Sequence, residues 1–496
     1  MPANFGFNAA DWVVILVYLT GILGLGLAFG KGQSTTRDYF LGSRNIPWWG
    51  VGLSIVATET SALTFIGVPG MAFGQDHLSF IQIVIGYVLA RVLLACFLVP
   101  HYFRGEIYSP YQLFRDRFGS GAQRTAGGIF LVAGTLAAGV RVYVTCIPLQ
   151  LLLGFQTDEI FWVMVLFVGL SLIYTYVGGV KAVIWTDAVQ FVLLLAGGIF
   201  TLIYIPTLLD GGWTAVWKQA QEGGKLQWLN TEWGWNRPLN LWMGVFGATV
   251  HAMSSHGADQ LIVQRVLTCS NVKEGRKALV LSAVIIFPLM VLFLLTGVFL
   301  WVYYQVNSAM PVPIPELRPG VSRNDYVFPI FILTVIPNVW KGFLIVAILS
   351  AAMSSVSSAL SALASVSTMD FLRRSDGEEE PERALARSKR ATLFWAVAMV
   401  GVAWFAQQAE SILHLAMTLS GLTSGAMLGG LILAVWGPPG SSRPVVAGML
   451  ASFFFMVGLT SQTAVKVAWP WFTLIGTVIT LAVAAIGMMR DRPAKP

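Results

Sequence analysis

Charge is scarce in this sequence. Asp, Glu, Lys and Arg make up only 11% of it, about half the share of a soluble domain. A folded surface facing water cannot be covered at that density, so a soluble globular protein is excluded. Cysteine is scarcer still. The three present, Cys96, Cys146 and Cys269, lie in or at the ends of apolar runs with no CxxC spacing. A disulfide framework and a cysteine-based zinc site are therefore excluded. The strict apolar/polar alternation of a membrane β-barrel is missing. FGKGQS offers Gly-Lys without the upstream Gly and following Ser/Thr of a phosphate-binding loop. HExxH and GxSxG do not occur either. No nucleophile–base or metal motif supports a membrane enzyme, and the expectation is a non-enzyme.

What fills the sequence instead is apolar. Hydrophobic residues make up 56% of it, gathered into recurring runs of about 20 residues, the length that crosses a bilayer core. Thirteen spans are expected: 9–29, 47–73, 78–100, 122–153, 158–178, 184–207, 239–262, 278–305, 339–370, 389–408, 411–436, 443–462 and 469–489. The first lacks a basic lead-in and begins at Asp11, so it reads as a retained span rather than a cleaved signal. An odd number of crossings puts the termini on opposite sides. With the N-terminus outside, about 22 of the 31 Lys and Arg fall in inner segments. About seven fall outside, and Arg91 and Arg141 lie within spans. The net charge of +7 thus reports an N-out, C-in topology rather than nucleic-acid binding. The run SDGEEEPERALARSKR reads as a solvated inner loop. No stretch between spans is long enough for a separate soluble domain, so a single polytopic all-α membrane domain is expected.

Against this background the polar residues inside spans stand out. Ala351 to Phe371 reads AAMSSVSSALSALASVSTMDF. At about 100° per residue, Ser357, Ser358, Ser361, Ser365 and Thr368 fall within roughly 60° of Ser354, with Ser355 on the flank. Such a stripe must face protein or water. It serves close helix packing, or it supplies neutral oxygen ligands to a hard cation. The partner helix decides between these readings. Span two carries Ala57-Thr58-Glu59-Thr60-Ser61 at mid-depth. A break there frees backbone carbonyls for a cation, as in transporters; an unbroken helix would bond the hydroxyls back to its own carbonyls. Asp187, about two turns into span six, needs a cation, a proton or a structural hydrogen bond. Arg141 is suited to clamp a substrate carboxylate, or to pair with Glu59. Arg91 fits snorkelling or pairing with a neighbouring helix.

ATETSALTFIGVPG, VGGVKAVIWTDAVQ, GADQLIVQR and AILSAAMSSVSSALSALASVSTMDF together resemble the sodium:solute symporter family, along essentially the whole chain. That family includes bacterial sodium/galactose, sodium/proline and sodium/sialic acid symporters and the animal sodium/glucose carriers. The resemblance implies a LeuT-type fold: an extra helix at 9–29, inverted five-helix repeats at 47–207 and 239–436, and two further helices at 443–489. It implies alternating access driven by a sodium gradient, with sodium ions co-transported. It also implies a usual sodium site from Ala57, Thr60, Ala351, Ser354 and Ser355. A second sodium site, as in the sialic acid carrier, would use Asp187, Ser354, Ser357 and Ser358. For the solute it points to Ser61 and Thr64, to Gln82 and to Arg141. His251, Ser254, Ser255 and His256 of span seven face the same cavity in this reading. Glu59 stands where the named relatives are often uncharged. The Gln and acidic pair of the galactose carriers is replaced by Thr64 and the apolar stretch near Ile83.

The expected function is a sodium-coupled symporter of the cell (inner) membrane that imports a small polar solute with two sodium ions. A carboxylate-bearing sugar acid, amino acid or organic acid is the leading class. A neutral sugar or polyol carrier and a sodium-independent uniporter or channel are the alternatives. A sodium-linked sensor would need a signalling domain, for which the tail from Met489 to Pro496 is too short. The expected partners are the solute, sodium and the lipid bilayer, with no nucleic acid, and a monomer suffices for a transport path.

Overall fold

The computed structural model describes residues 7–30, 33–153, 159–236, 239–307, 312–314, 316–318, 321–372, 380–407, 412–461 and 467–490. Helices dominate. The β-structure among the described residues is one antiparallel pair, Glu316–Arg318 with Val321–Ser322. Eight helices there are long and apolar enough to cross a membrane, or nine if the bent pair Trp48–Glu59 and Thr64–Phe73 is one span. Each of the thirteen expected stretches overlaps a helical segment. Their outward faces carry exposed Val, Leu, Phe and Trp, such as Val17, Trp162, Val397 and Phe454, where lipid takes the place of water.

The helices differ in depth. In the most apolar part of Trp340–Leu372, 94% of residues are buried, against 17% for Ala9–Phe29. The hydroxyl-rich segment is therefore the central post of the bundle, and the first helix lies at its edge. Asp11 joins the two. It completes a capping box with Asn8, and its Oδ1 accepts from the backbone N–H of Val339 at 2.7 Å and of Gly342 at 2.9 Å. A carboxylate thus satisfies orphan donors at the start of the central helix, where the helix dipole favours negative charge.

Three departures from regular helix position the site. Stretches 158–178 and 184–207 form one hydrogen-bonded run, Ile160–Thr207, that kinks at Gly179 (φ 53°, ψ −153°). A side chain there would put its Cβ 2.5 Å from the Tyr39 carbonyl oxygen, so only glycine fits. The stretch 239–262 opens as a π-helix, Met243–Ala248, and continues as Thr249–Gly257. It breaks at Asp259, whose extended backbone and side-chain bond to the Leu261 N–H restart a helix over Gln260–Leu267. The expected end at 262 is thus too early, because an N-cap inside the span restarts the helix. The third departure is the break in span two.

Candidate sodium and solute sites around the broken helix

Trp48–Glu59 ends where Thr60 leaves helical geometry (φ −83°, ψ 87°), and the chain restarts as Ala62–Phe73. The two limbs are bent by 59°. The Ser61 N–H donates to the Glu59 carbonyl at 3.1 Å rather than to Ala57, which a continuous helix would give it. The Ala57 carbonyl is thereby released. Thr60 Oγ1 is buried with no hydrogen-bond partner, an orphan oxygen of the kind that needs an explanation. Thr58 donates back to the Ser54 carbonyl at 2.7 Å and lies 3.2 Å from Ser358 Oγ. The last turn before the break therefore packs on the hydroxyl stripe. Ser61 and Ser355 line one cavity, together with Ala138, Arg141, Thr145, Ala352 and Val356. Ser355 donates to the Ala351 carbonyl at 3.2 Å. Neutral oxygens of two elements, the broken helix and the serine-rich helix, thus border one cavity. That donor set fits an alkali cation.

Asp187 is fully buried and is not alone. Its Oδ1 accepts from Ser354 at 2.7 Å, and its Oδ2 accepts from Ser54 at 2.6 Å. Arg265 completes the cluster. Its guanidinium donates to Asp187 Oδ2 at 3.0 Å and, through Nε, to Ser54 Oγ at 2.8 Å. It also reaches Ser358 Oγ and the Leu261 carbonyl. Ser357 and Ser358 donate to the Ser354 carbonyl at 3.1 and 2.6 Å. Of the four residues expected for a second sodium, Asp187, Ser354 and Ser358 meet around a protein cation, while the Ser357 hydroxyl is bonded to the Ser354 carbonyl. Sequence reasoning missed Arg265 by leaving it in the loop after span seven. The available signal was Asp259: an N-cap residue just before QLIVQR announces a new helix, which carries Arg265 inward.

The remaining expected residues divide. Glu59, at the break, pairs with Arg91 on the helix Ile81–Phe97, so the Arg141–Glu59 alternative is not the arrangement found. The Arg91 guanidinium is fixed by a second bond to the Tyr87 carbonyl at 2.9 Å. His256 Nε2 lies 3.5 Å from the same Glu59 carboxylate, and Ser255 Oγ lies 2.9 Å from His256 Nδ1. His251 pairs with Thr473 Oγ1 at 3.0 Å. Ser254 points elsewhere, donating to the Ser424 carbonyl at 2.7 Å. Gln82 is also turned away from the cavity. Its amide donates to the Ser79 carbonyl at 3.2 Å and accepts from the Asn230 N–H at 2.9 Å. Thr64 sits in the first turn after the break, its N–H donating to the Ser61 carbonyl at 2.9 Å. Arg141 lines the cavity, and among the described residues it forms no ion pair.

Comparison with known proteins bears on the family and the fold. The chain is 28% identical over 502 residues to the sodium/sialic acid symporter SiaT of Proteus mirabilis, covering 99% of this chain and 97% of that one. It is 29% identical to the human sodium/iodide cotransporter, over 92% of this chain and 70% of the relative. Its fold superposes on a substrate-bound, outward-open Na+-coupled sialic acid symporter with a TM-score of 0.86 at 26% identity, covering 99% of both chains. The LeuT-type, all-helical fold implied by the resemblance is the one the chain adopts. The profile of the sodium:solute symporter family matches residues 39–451, and with the broken helix, the neutral oxygens beside it and the multi-pass bundle, this chain belongs to that family of sodium-coupled transporters.

Proposed function

We propose that this symporter carries a small, carboxylate-bearing solute inward by alternating access, with Arg141 as its carboxylate clamp. The observation that supports this reading is a difference among three arginines. Arg91 and Arg265 are each neutralised by a carboxylate, the half-buried Glu59 and the buried Asp187. Arg141 lines the cavity without an ion pair among the described residues. A guanidinium within the membrane that no carboxylate contacts, with Asp259 only as a more distant charge, is costly, and a planar anion relieves that cost with two parallel hydrogen bonds. Ser61 and, one turn on, Thr64 supply hydroxyls for the rest of the solute. Two similar proteins named above carry sialic acid and iodide, both anions.

In the same reading, one sodium ion is held by Ala57, Thr60, Ala351, Ser354 and Ser355, and a second by Asp187, Ser354, Ser357 and Ser358. The anionic solute offsets part of the charge that two cations bring. Ser255, His256 and Glu59 form the wall behind the solute rather than direct ligands. Residues 47–207 and 239–436 are the two inverted repeats, flanked by 9–29 and 443–489. Thirteen crossings place the N-terminus outside and the C-terminus in the cytoplasm of an inner membrane, and one copy provides a complete path.

Arg141→Lys tests the clamp. It keeps the charge but loses the fork, so the half-saturating concentration for a carboxylate solute should rise by about tenfold, the loss of one good charged hydrogen bond. A thermal-shift screen of sugar acids, amino acids and organic acids, run in sodium and in potassium buffer, supplies the solute. Unaltered affinity in the lysine variant would remove Arg141 from the site.

A further inference from the structure

The cluster around Asp187 already contains a monovalent cation. We infer that Arg265 is a tethered cation that trades places with sodium at Asp187. The inference rests on the proposed second sodium site and assigns its occupant when sodium is elsewhere.

The geometry carries the argument. Asp187 is wholly buried and Arg265 is 1% exposed, so neither is neutralised by water. The guanidinium binds Asp187 Oδ2, Ser54 Oγ and Ser358 Oγ, three oxygens from three different helices. The carboxylate and Ser358 are ligands that a sodium ion at this place would use. Asp187 provides one negative charge. A second cation entering while the guanidinium stays would put two positive charges on one carboxylate in a low-dielectric interior, where repulsion at contact distance is large. A buried carboxylate without either cation is also disfavoured. One cation at a time is the arrangement with the lowest electrostatic cost, so sodium enters as Arg265 withdraws and Arg265 returns as sodium leaves.

Arg265 is well placed for such an exchange. It sits on the short helix Gln260–Leu267, which begins at the break at Asp259 and is separate from Thr249–Gly257. Asp259 is a second carboxylate whose charge interacts with both Arg265 and Arg141. A withdrawing guanidinium therefore moves within the field of another acid. Ser54 provides the pivot: it donates to Asp187 and accepts from Arg265 Nε, so its hydroxyl serves the carboxylate with either cation in place. Returning Arg265 to Asp187 also prevents a bare carboxylate from recapturing the sodium that has just been released.

Sodium binding by the purified full chain tests the exchange without relying on transport. The thermal midpoint is titrated with NaCl against choline chloride at constant ionic strength, in alkaline buffer so that protons do not compete for the carboxylate. Wild type, Arg265→Gln, Arg265→Lys and Asp187→Asn are compared, with Ser355→Ala reporting on the usual sodium site. Removing the competing charge should lower the half-saturating sodium concentration in Arg265→Gln by about tenfold or more. Arg265→Lys, which keeps the charge but not the fork, should fall between Arg265→Gln and wild type, and decides the matter if the glutamine variant does not fold. Unchanged or weakened sodium binding in these variants overturns the exchange and leaves Arg265 a positioning residue. Asp187→Asn separates the two levels. If it leaves the sodium titration unaltered while Ser355→Ala shifts it, the second sodium site itself fails. If Asp187→Asn weakens sodium binding and the Arg265 variants do not strengthen it, only the exchange fails.

Discussion

Buried charges in this protein take their meaning from their nearest partner. Glu59 stands beside the broken helix, where an unpaired acid would read as a cation ligand or a substrate contact. Its partner is Arg91, whose side chain is fully buried, so the pair is a brace between the break and the helix Ile81–Phe97. Glu59→Gln leaves that guanidinium without a counter-charge. Loss of one member of a buried pair costs about 3 kcal/mol or more. The expected outcome is a clear fall in the thermal midpoint of the detergent-purified protein, with partial recovery in the Glu59→Gln/Arg91→Gln double variant. Recovery distinguishes a brace from a solute ligand, because the double variant restores charge balance without restoring a carboxylate. If the single variant is as stable as wild type, the pair is not a brace.

At the scale of elements, three departures from regular helix shape the surroundings of the cavity and of Asp187. The break at Thr60 and Ser61 releases oxygen atoms beside the cavity. The restart at Asp259 carries Arg265 inward. The kink at Gly179 turns the chain between two helical limbs against Tyr39. Gly179→Ala combines a left-handed φ with a Cβ 2.5 Å from a carbonyl oxygen. It should cost at least about 2 kcal/mol, read as lost stability or as failure to accumulate in the membrane. Gly169→Ala in the same run is the control: a Cβ there meets nothing within 4 Å, and the change should be neutral or slightly stabilising. Equal effects of the two substitutions would mean that the kink is not held by its glycine.

For the molecule as a whole, coupling requires that solute flux depend on the sodium gradient. In proteoliposomes, counterflow of the solute identified by thermal shift should accelerate when an inward sodium gradient is imposed and fall to background when potassium replaces sodium. A rate indifferent to sodium would describe a uniporter. Charge balance sets the logic at this scale. Arg91 and Arg265 are cancelled within the bundle and the half-buried Arg141 lines the cavity, and in the proposed reading sodium enters a site made largely of neutral oxygens. Binding in such a site is reversible, because no excess of fixed negative charge holds the ion.

The sequence by itself determined the class of protein and the location of its chemistry. Spans are set by runs of apolar residues, and a bilayer leaves the backbone no choice but helix or closed barrel. The serine stripe was legible because a helix has a fixed angular step, and the break at Thr60 and Ser61 because poor helix formers and a carboxylate coincide there. Tertiary structure alone decided the pairings. Glu59 could have met Arg141 or Arg91, Asp187 could have been lone or paired, and Gln82 could have faced the cavity or a loop. Each outcome depends on which helices are neighbours and how far each is rotated, quantities that local periodicity does not contain. Arg265 shows the reason most plainly: its charge is plain in the sequence, which left it in a loop, but the distance of 3.0 Å to Asp187 spans 78 residues of chain and exists only after folding.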